Sequence, residues 1–208
     1  RSFISQIDRV ITPFTLDDYL RMQPEILLTV GGMIVSKRIK TFLRRFRPEH
    51  HWHVDPLRAY NTYGALTHHF EVQPNDFFEQ FLPFTLLVSS DYARETQSII
   101  AARQQKHDAF MANVPYSDFK VFSRLIPHLS GFDVQVSNSA AIRYMQLFNL
   151  PAGLNVFCNR GTSGIDGSTS TAIGAAVGSG RPTVLVTGDI GFFYDSNALW
   201  NQYIPKDF

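Results

Sequence analysis

The chain has 208 residues, 44% hydrophobic and 18% charged, the composition of an ordinary globular protein with room for one large domain or two small ones. A net charge of +1 gives no electrostatic case for nucleic acid or an anionic membrane, and no apolar run approaches the ~18 residues of a membrane helix. The opening RSFISQIDRVITPF lacks the apolar core of a signal peptide, and the single cysteine, Cys158, excludes an internal disulfide framework and fits a reducing, cytoplasmic compartment.

Taken in chain order, EILLTVGG (25–32) predicts a buried strand ending in a glycine turn. SKRIKTFLRRF (36–46) predicts an amphipathic helix with Ser36 as its N-cap. Residues 51–54 read as the next strand, stopped by Pro56, and HHFEV (68–72) as a third. Asn75 or Asp76 is the expected cap of the helix DFFEQFL. This β-α-β order predicts a parallel sheet in a Rossmann-like half. Residues 90–114, polar at most positions, predict a long, partly exposed connecting helix. A second β/α series follows: a helix over 116–129 that Pro127 kinks or ends, strand DVQVS (133–137), helix NSAAIRYMQLF (138–148), and strand LNVFC (154–158). A helix of small residues (168–179), PTVLVTG (182–188) as a central buried strand, and a last helix opening at Ser196-Asn197 complete it. The expected fold class is α/β, two flavodoxin-type three-layer domains with parallel sheets, both incomplete. The segmentation expected is 1–89 as the later part of a middle domain, 90–114 as the connection, and 115–208 as the first part of a second domain.

In open parallel sheets, ligands sit outside the carboxyl ends of strands. Three segments place polar residues there: SNS (137–139), NRGTSGIDG (159–167) and Gly188-Asp189. Gly174, Ala175, Ala176 and Gly178 permit close packing beneath them. Asp189 offers an oxygen to a hard cation, and helix N-termini supply N–H donors for phosphate. A Gly-Asp after a strand is also commonly a turn with an N-cap, and an Ala/Gly helix is commonly tight packing. A metal-bridged diphosphate ligand would use both the carboxylate and the N–H donors, and the three loops together argue for a site more strongly than any one of them.

NRGTSGIDG, a small-residue helix and PTVLVTGDxxFxxDxNAL together resemble the diphosphate domain of the thiamin-diphosphate enzymes. The NSxxxR of Asn138–Arg143 and the SKR of Ser36–Arg38 resemble the branch that acts in menaquinone biosynthesis. The resemblance is strong over 133–201 and rests on element order over 25–130. In this family the Gly-Asp opens a metal motif whose Asn ligand follows two to three dozen residues later. Only 19 residues follow Asp189, and Asn197 and Asn201 fall too early, so the chain reads as an internal fragment, inactive by itself. Two departures stand out: Ile190 replaces the family's second Gly, and Gly191 stands where this branch usually has Ser.

The resemblance implies Asp189 as a ligand of Mg²⁺ or Mn²⁺, and Gly188, Ile190 and Gly191 at the diphosphate. By the same resemblance Ser163, Gly164 and Ile165 would lie along the rings of thiamin diphosphate, Ser139, Arg143 and Arg160 would hold the distal carboxylate of 2-oxoglutarate, and Lys37 and Arg38 the carboxylates of isochorismate. Arginine suits such a role because its planar fork meets a carboxylate with two hydrogen bonds. The implied activity is decarboxylation of 2-oxoglutarate and conjugate addition to isochorismate, by a homodimer or homotetramer without membrane insertion or nucleic acid. Two other readings stand beside it: another thiamin-diphosphate 2-oxoacid decarboxylase or acetohydroxyacid-synthase-like enzyme, and a non-enzymatic Rossmann-like scaffold. Read alone, Lys37 and Arg38 belong to a solvated basic helix face, Arg143 to an ordinary helix, and His51, His53 and Asp55 to the structure of a strand end. Gly31-Gly32 is no dinucleotide fingerprint, and Cys158 reads as a small buried hydrophobe.

Overall fold

A computed structural model describes Ile4 and residues 6–86 and 88–208; residues 1–3, 5 and 87, which fall in the first predicted segment, lie outside the described residues. The chain divides into two compact units, one of residues 7–32 and 36–108, the other of 1–6, 33–35 and 109–208. Each is α/β with a three-stranded parallel sheet, the Rossmann-like arrangement expected from the alternation of strands and helices.

In the first unit the strands β1 (Ile26–Val30), β2 (His50–Val54) and β3 (Leu66–Phe70) lie in the order β1-β2-β3. Helix α3 (Lys37–Arg45) crosses from β1 to β2, and Ser36 caps it as expected, its hydroxyl accepting from Ile39 N–H at 3.0 Å. The apolar stripe of α3 puts Phe42, Leu43 and Phe46 into a core with Met22 and Tyr63. Four details differ from the sequence reading. Strand β1, expected to be buried, is half-buried at its centre and exposed at Ile26 and Val30, since it lies at the edge of the sheet among the described residues. Helices α1 (Ile7–Ile11) and α2 (Leu16–Arg21) precede the first strand; α2 carries a capping box in which Thr15 and Asp18 satisfy each other's backbone N–H groups. Strand β3 begins at Leu66 and ends at Phe70, because Val72 N–H turns back to Phe70 O (2.9 Å). Helix α4 (Pro74–Phe81) starts on Pro74 with Gln73 as its N-cap, which places Asn75 and Asp76 inside the first turn. Helix α5 (Tyr92–Asn113) follows, belonging to this unit up to Asp108.

The middle strand of this sheet carries two buried histidines, His51 (1% exposed) and His53 (6%). Alternation along β2 points both to one side, where Thr29 Oγ1 lies 2.9 Å from His51 Nε2 and 2.8 Å from His53 Nδ1. Burial holds both imidazoles below the ordinary histidine pKa; the neighbouring His53 adds to this at His51, and Asp55 opposes it at His53. The folded state therefore favours the neutral rings, and the unfolded chain binds more protons. Stability is complete above the unfolded value of about 6.5 and is lost as the pH falls below it. Protection of the β2 amides, taken relative to their intrinsic exchange rate at each pH, is expected to fall between about pH 7.5 and about pH 5. His51→Gln is expected to flatten that dependence; an unchanged slope in the variant would show that the acid sensitivity arises elsewhere.

The second unit contains α6 (Asp118–Leu125), β4 (Asp133–Val136), α7 (Ala140–Met145), β5 (Asn155–Phe157), α8 (Ser168–Ser179), β6 (Thr183–Val186) and α9 (Asp189–Tyr194). Its strand order is β5-β4-β6, all parallel, so among the described residues β6 is an edge strand rather than the expected central one, half-buried apart from Thr183, and β4 takes the centre. The chain goes from β4 to one neighbour and then returns to the other, so β4 marks a reversal of strand order, the place where open sheets hold ligands. The core beneath joins Phe122 and Ile126 to Val134, Val136, Ile142 and Met145. Leu125 ends α6, and Pro127 lies in the single 3₁₀ turn Ile126–His128. Helix α7 is shorter than predicted: Ser139 has a positive φ, so Asn138 and Ser139 lie outside the helix. The end of the chain differs too. Helix α9 begins at Asp189 itself, and Ser196–Leu199 is a 3₁₀ turn rather than a new α-helix.

Candidate functional site

The carboxyl ends of β4, β5 and β6 carry three loops that touch one another. Ser137 N–H extends the β4–β6 ladder to Val186 O (2.9 Å), and its hydroxyl accepts from Gly188 N–H (3.3 Å). Next to it, Asn138 is 4% exposed and reaches across to the loop after β5. Its Nδ2 donates to Asn159 O and to Gly164 O, both at 2.7 Å, and its Oδ1 accepts from Arg160 Nη1 at 2.6 Å. The loop 159–167 in turn meets the turn after β6. A Cβ at Gly191 would stand 3.3 Å from both Ile165 O and Thr187 Oγ1, so the backbones approach there as only glycine allows without movement.

Among the described residues the non-glycine residues with positive φ are Ser139 (φ 73°) and Ser163 (φ 59°). Both stand in these loops, one beside Asn138 and one in the segment that Asn138 holds. Such conformations cost about 1–3 kcal/mol and persist where surrounding contacts impose them. Ser139, with ψ −128°, is the more strained. Ser139→Gly is expected to stabilise the second unit by about 1 kcal/mol, a rise in melting temperature of about 2–4 °C. A fall would show that the serine side chain contributes more than its backbone costs.

The structure thus brings together Ser139, Arg160, Ser163, Gly164, Ile165, Gly188, Asp189, Ile190 and Gly191 on three adjoining loops of one unit. Arg143 is exposed on α7, one turn past Ser139. Arg160 is half-buried; its Nη1 is taken by Asn138, and its Nε is buried with no hydrogen-bond partner. An unpaired N–H on a guanidinium is costly and matches a carboxylate oxygen. Burial pushes the Cys158 thiol pKa up, with Arg160 opposing, so Cys158 is no activated nucleophile.

The turn after β6 presents donors. Asp189, Ile190 and Gly191 form the first turn of α9 and precede its first intrahelical bond, Phe192 N–H to Gly188 O. The buried Ser168 and Thr169 hydroxyls at the start of α8 also have no hydrogen-bond partner. The N–H groups of the turn after β6, with the close seat at Gly191, suit a diphosphate. Asp189 is exposed and offers one carboxylate to a cation. Among the described residues no group of three or more His, Cys, Asp or Glu side chains gathers to hold a metal. Asn197 lies in the 3₁₀ turn, and Asn201 is engaged with Ala198 O and Tyr203 N–H.

Sequence reasoning overlooked two residues here. Asn138 stands in both SNS and NSxxxR, but neither pattern assigns it a contact. Asp195, 6% exposed, accepts from Ser170 N–H at 2.7 Å and from the Ser170 hydroxyl at 2.9 Å. Ser170 is the third residue of α8, whose N-cap is Gly167 with no side-chain cap, so Asp195 caps α8 from a distance. Asp195→Ala is expected to cost about 2 kcal/mol, lowering the melting temperature by about 4–8 °C, with Asp195→Asn losing about half as much. Equal stability in all three would show that the contact is incidental.

Lys37 and Arg38 belong to the other unit. Both are exposed at the start of α3, where they line a cavity of about 250 Å³ with Arg45, Tyr19, Phe42 and Phe46. Cations over an aromatic floor suit an anion with an unsaturated ring. Among the described residues no helix is long and apolar enough to cross a membrane.

No family model matches the chain. Among curated proteins it is similar to the 2-succinyl-5-enolpyruvyl-6-hydroxy-3-cyclohexene-1-carboxylate synthase of Flavobacterium psychrophilum, 58% identical over 208 residues, which is 100% of this chain and 38% of that protein. The synthase of the same name from Christiangramia forsetii is 50% identical over 99% of this chain and 37% of its own length. That of Bacteroides fragilis is 40% identical over 90% of this chain and 33% of its own. The chain spans 38% or less of the length of these relatives. Over its whole length the chain is thus similar to a part of the 2-succinyl-5-enolpyruvyl-6-hydroxy-3-cyclohexene-1-carboxylate synthases.

Proposed function

We propose that the chain is part of a cytoplasmic thiamin-diphosphate-dependent synthase that decarboxylates 2-oxoglutarate and adds the four-carbon unit to isochorismate, a step of menaquinone biosynthesis. The observation that carries this reading is Arg160 beside Asn138 at the strand-order reversal, with an unpartnered buried Nε, in a chain homologous end to end to such synthases. Thiamin diphosphate, when bound, supplies the electron sink for loss of CO₂.

The chain's own residues bind and orient. Arg160, with Ser139 and Arg143, holds the distal carboxylate of 2-oxoglutarate. Ser163, Gly164 and Ile165 support the cofactor rings. Gly188 and the N–H groups of Ile190 and Gly191 receive the diphosphate, and Asp189 supplies one ligand to Mg²⁺ or Mn²⁺, the others coming from outside this chain. Lys37 and Arg38, over the aromatic floor of their cavity, hold the carboxylates of isochorismate. Two polyanionic substrates account for several cations in a chain of net charge +1. The active assembly is a homodimer or homotetramer.

The test is steady-state kinetics of a full-length synthase carrying this sequence, with thiamin diphosphate, Mg²⁺ and isochorismate, comparing 2-oxoglutarate with pyruvate. The expected result is a strong preference for 2-oxoglutarate. Preference for pyruvate would make the protein a decarboxylase or acetohydroxyacid-synthase-like enzyme, and turnover of neither would favour a scaffold without activity.

A further inference from the structure

We propose that Asn138 is a positioning residue, which fixes the Arg160 guanidinium and closes the 159–164 loop over the site; the proposal rests on the substrate role given to Arg160. Asn138 uses the whole of its amide. Both Nδ2 hydrogens are donated to carbonyls, Asn159 O and Gly164 O at 2.7 Å, while Oδ1 accepts from Arg160 Nη1 at 2.6 Å and, more weakly, from the Cys158 thiol at 3.5 Å. The orientation of the amide is unambiguous, since the flipped group would set NH₂ against a guanidinium and oxygen against two carbonyls. Few side chains could replace it. The site needs two donors and an acceptor on one short planar group, and aspartate, serine and leucine each lack at least one of these.

The consequence lies in Arg160. Anchored through Nη1, the guanidinium is held in one orientation, and Nε, on the opposite edge, is left without a partner. A carboxylate that reaches the exposed part of this guanidinium finds it already oriented, so less side-chain freedom is lost on binding. The two carbonyl bonds hold the flanks of the same loop, on either side of Ser163 with its positive φ. Asn138 itself is 4% exposed, so it acts through Arg160 rather than on a substrate.

The experiment places Asn138→Ala and Asn138→Asp in a full-length synthase, each alone and together with Arg160→Ala. KM for 2-oxoglutarate, kcat and thiamin-diphosphate affinity are measured. Asn138→Ala is expected to raise KM for 2-oxoglutarate about 10-fold, the effect of one hydrogen bond to a charged group, with cofactor affinity within about 2-fold of wild type. Asn138→Asp, which keeps the side-chain size and serves if the alanine variant does not fold, is expected to raise KM as well, because its carboxylate competes with the substrate for Arg160. In the Arg160→Ala background neither change should add to the loss. Additive losses, or a fall in cofactor affinity as large as the rise in KM, would make Asn138 a structural residue. A raised KM in Arg160→Ala with none in either Asn138 variant overturns this proposal alone. An unchanged KM in Arg160→Ala overturns the substrate reading and this proposal with it.

Discussion

Arg160→Ala is expected to lower kcat/KM for 2-oxoglutarate by roughly 10- to 150-fold, the ~1.5–3 kcal/mol of a charge-assisted hydrogen bond lost from a site that still holds its carboxylate partner. The half-buried guanidinium, anchored at Nη1 and unpartnered at Nε, is the reason to expect the upper part of this range. Arg143→Ala is expected to lose less, because Arg143 is exposed and water screens its charge. Both losses should shrink with pyruvate, which has no distal carboxylate, and cofactor affinity should hold. Equal losses with the two oxoacids would mean that the arginines support the fold or the cofactor instead.

Asp189→Asn is expected to abolish most synthase activity, with excess Mg²⁺ restoring only part of it. The substitution keeps the shape of a residue that opens α9 immediately after a strand. It removes a negative charge from a proposed metal ligand set, where charge governs affinity for a hard cation. Calorimetric titration of thiamin diphosphate at several Mg²⁺ concentrations measures the effect directly. A variant with the metal dependence of wild type would leave Asp189 as the first residue of a helix and nothing more.

Much of the fold was legible in the sequence because its signals are local. The β-branched runs ILLTV and TVLV, the alternation of strand and helix, and Ser36 before an amphipathic stripe each fix an element with its neighbours in the chain. What escaped depends on contacts distant in sequence. Helix α7 starts after Ser139 rather than at Asn138, because Ser139 has a positive φ, in a loop whose Asn138 amide binds carbonyls 21 and 26 residues away. Helix α8 has no capping side chain at its own start because its N-cap is Gly167, and Asp195, 25 residues past Ser170, supplies the acceptor instead. The capping box of Thr15 and Asp18 was a local signal and could have been read. The polar loops after β4, β5 and β6 were visible as strand-end segments. Their convergence follows from the order β5-β4-β6, which no local pattern encodes.

The most direct test of the central claim, that the three loops around Asn138 form one cofactor and substrate site, is a crystal structure of a full-length synthase carrying this sequence, grown with thiamin diphosphate, Mg²⁺ and 2-oxoglutarate. The expected result is a cation on the Asp189 carboxylate, a diphosphate on the Ile190 and Gly191 N–H groups, and the distal carboxylate of 2-oxoglutarate on Arg160. Clear density for the cofactor elsewhere, with these loops in contact only with solvent or protein, would contradict it.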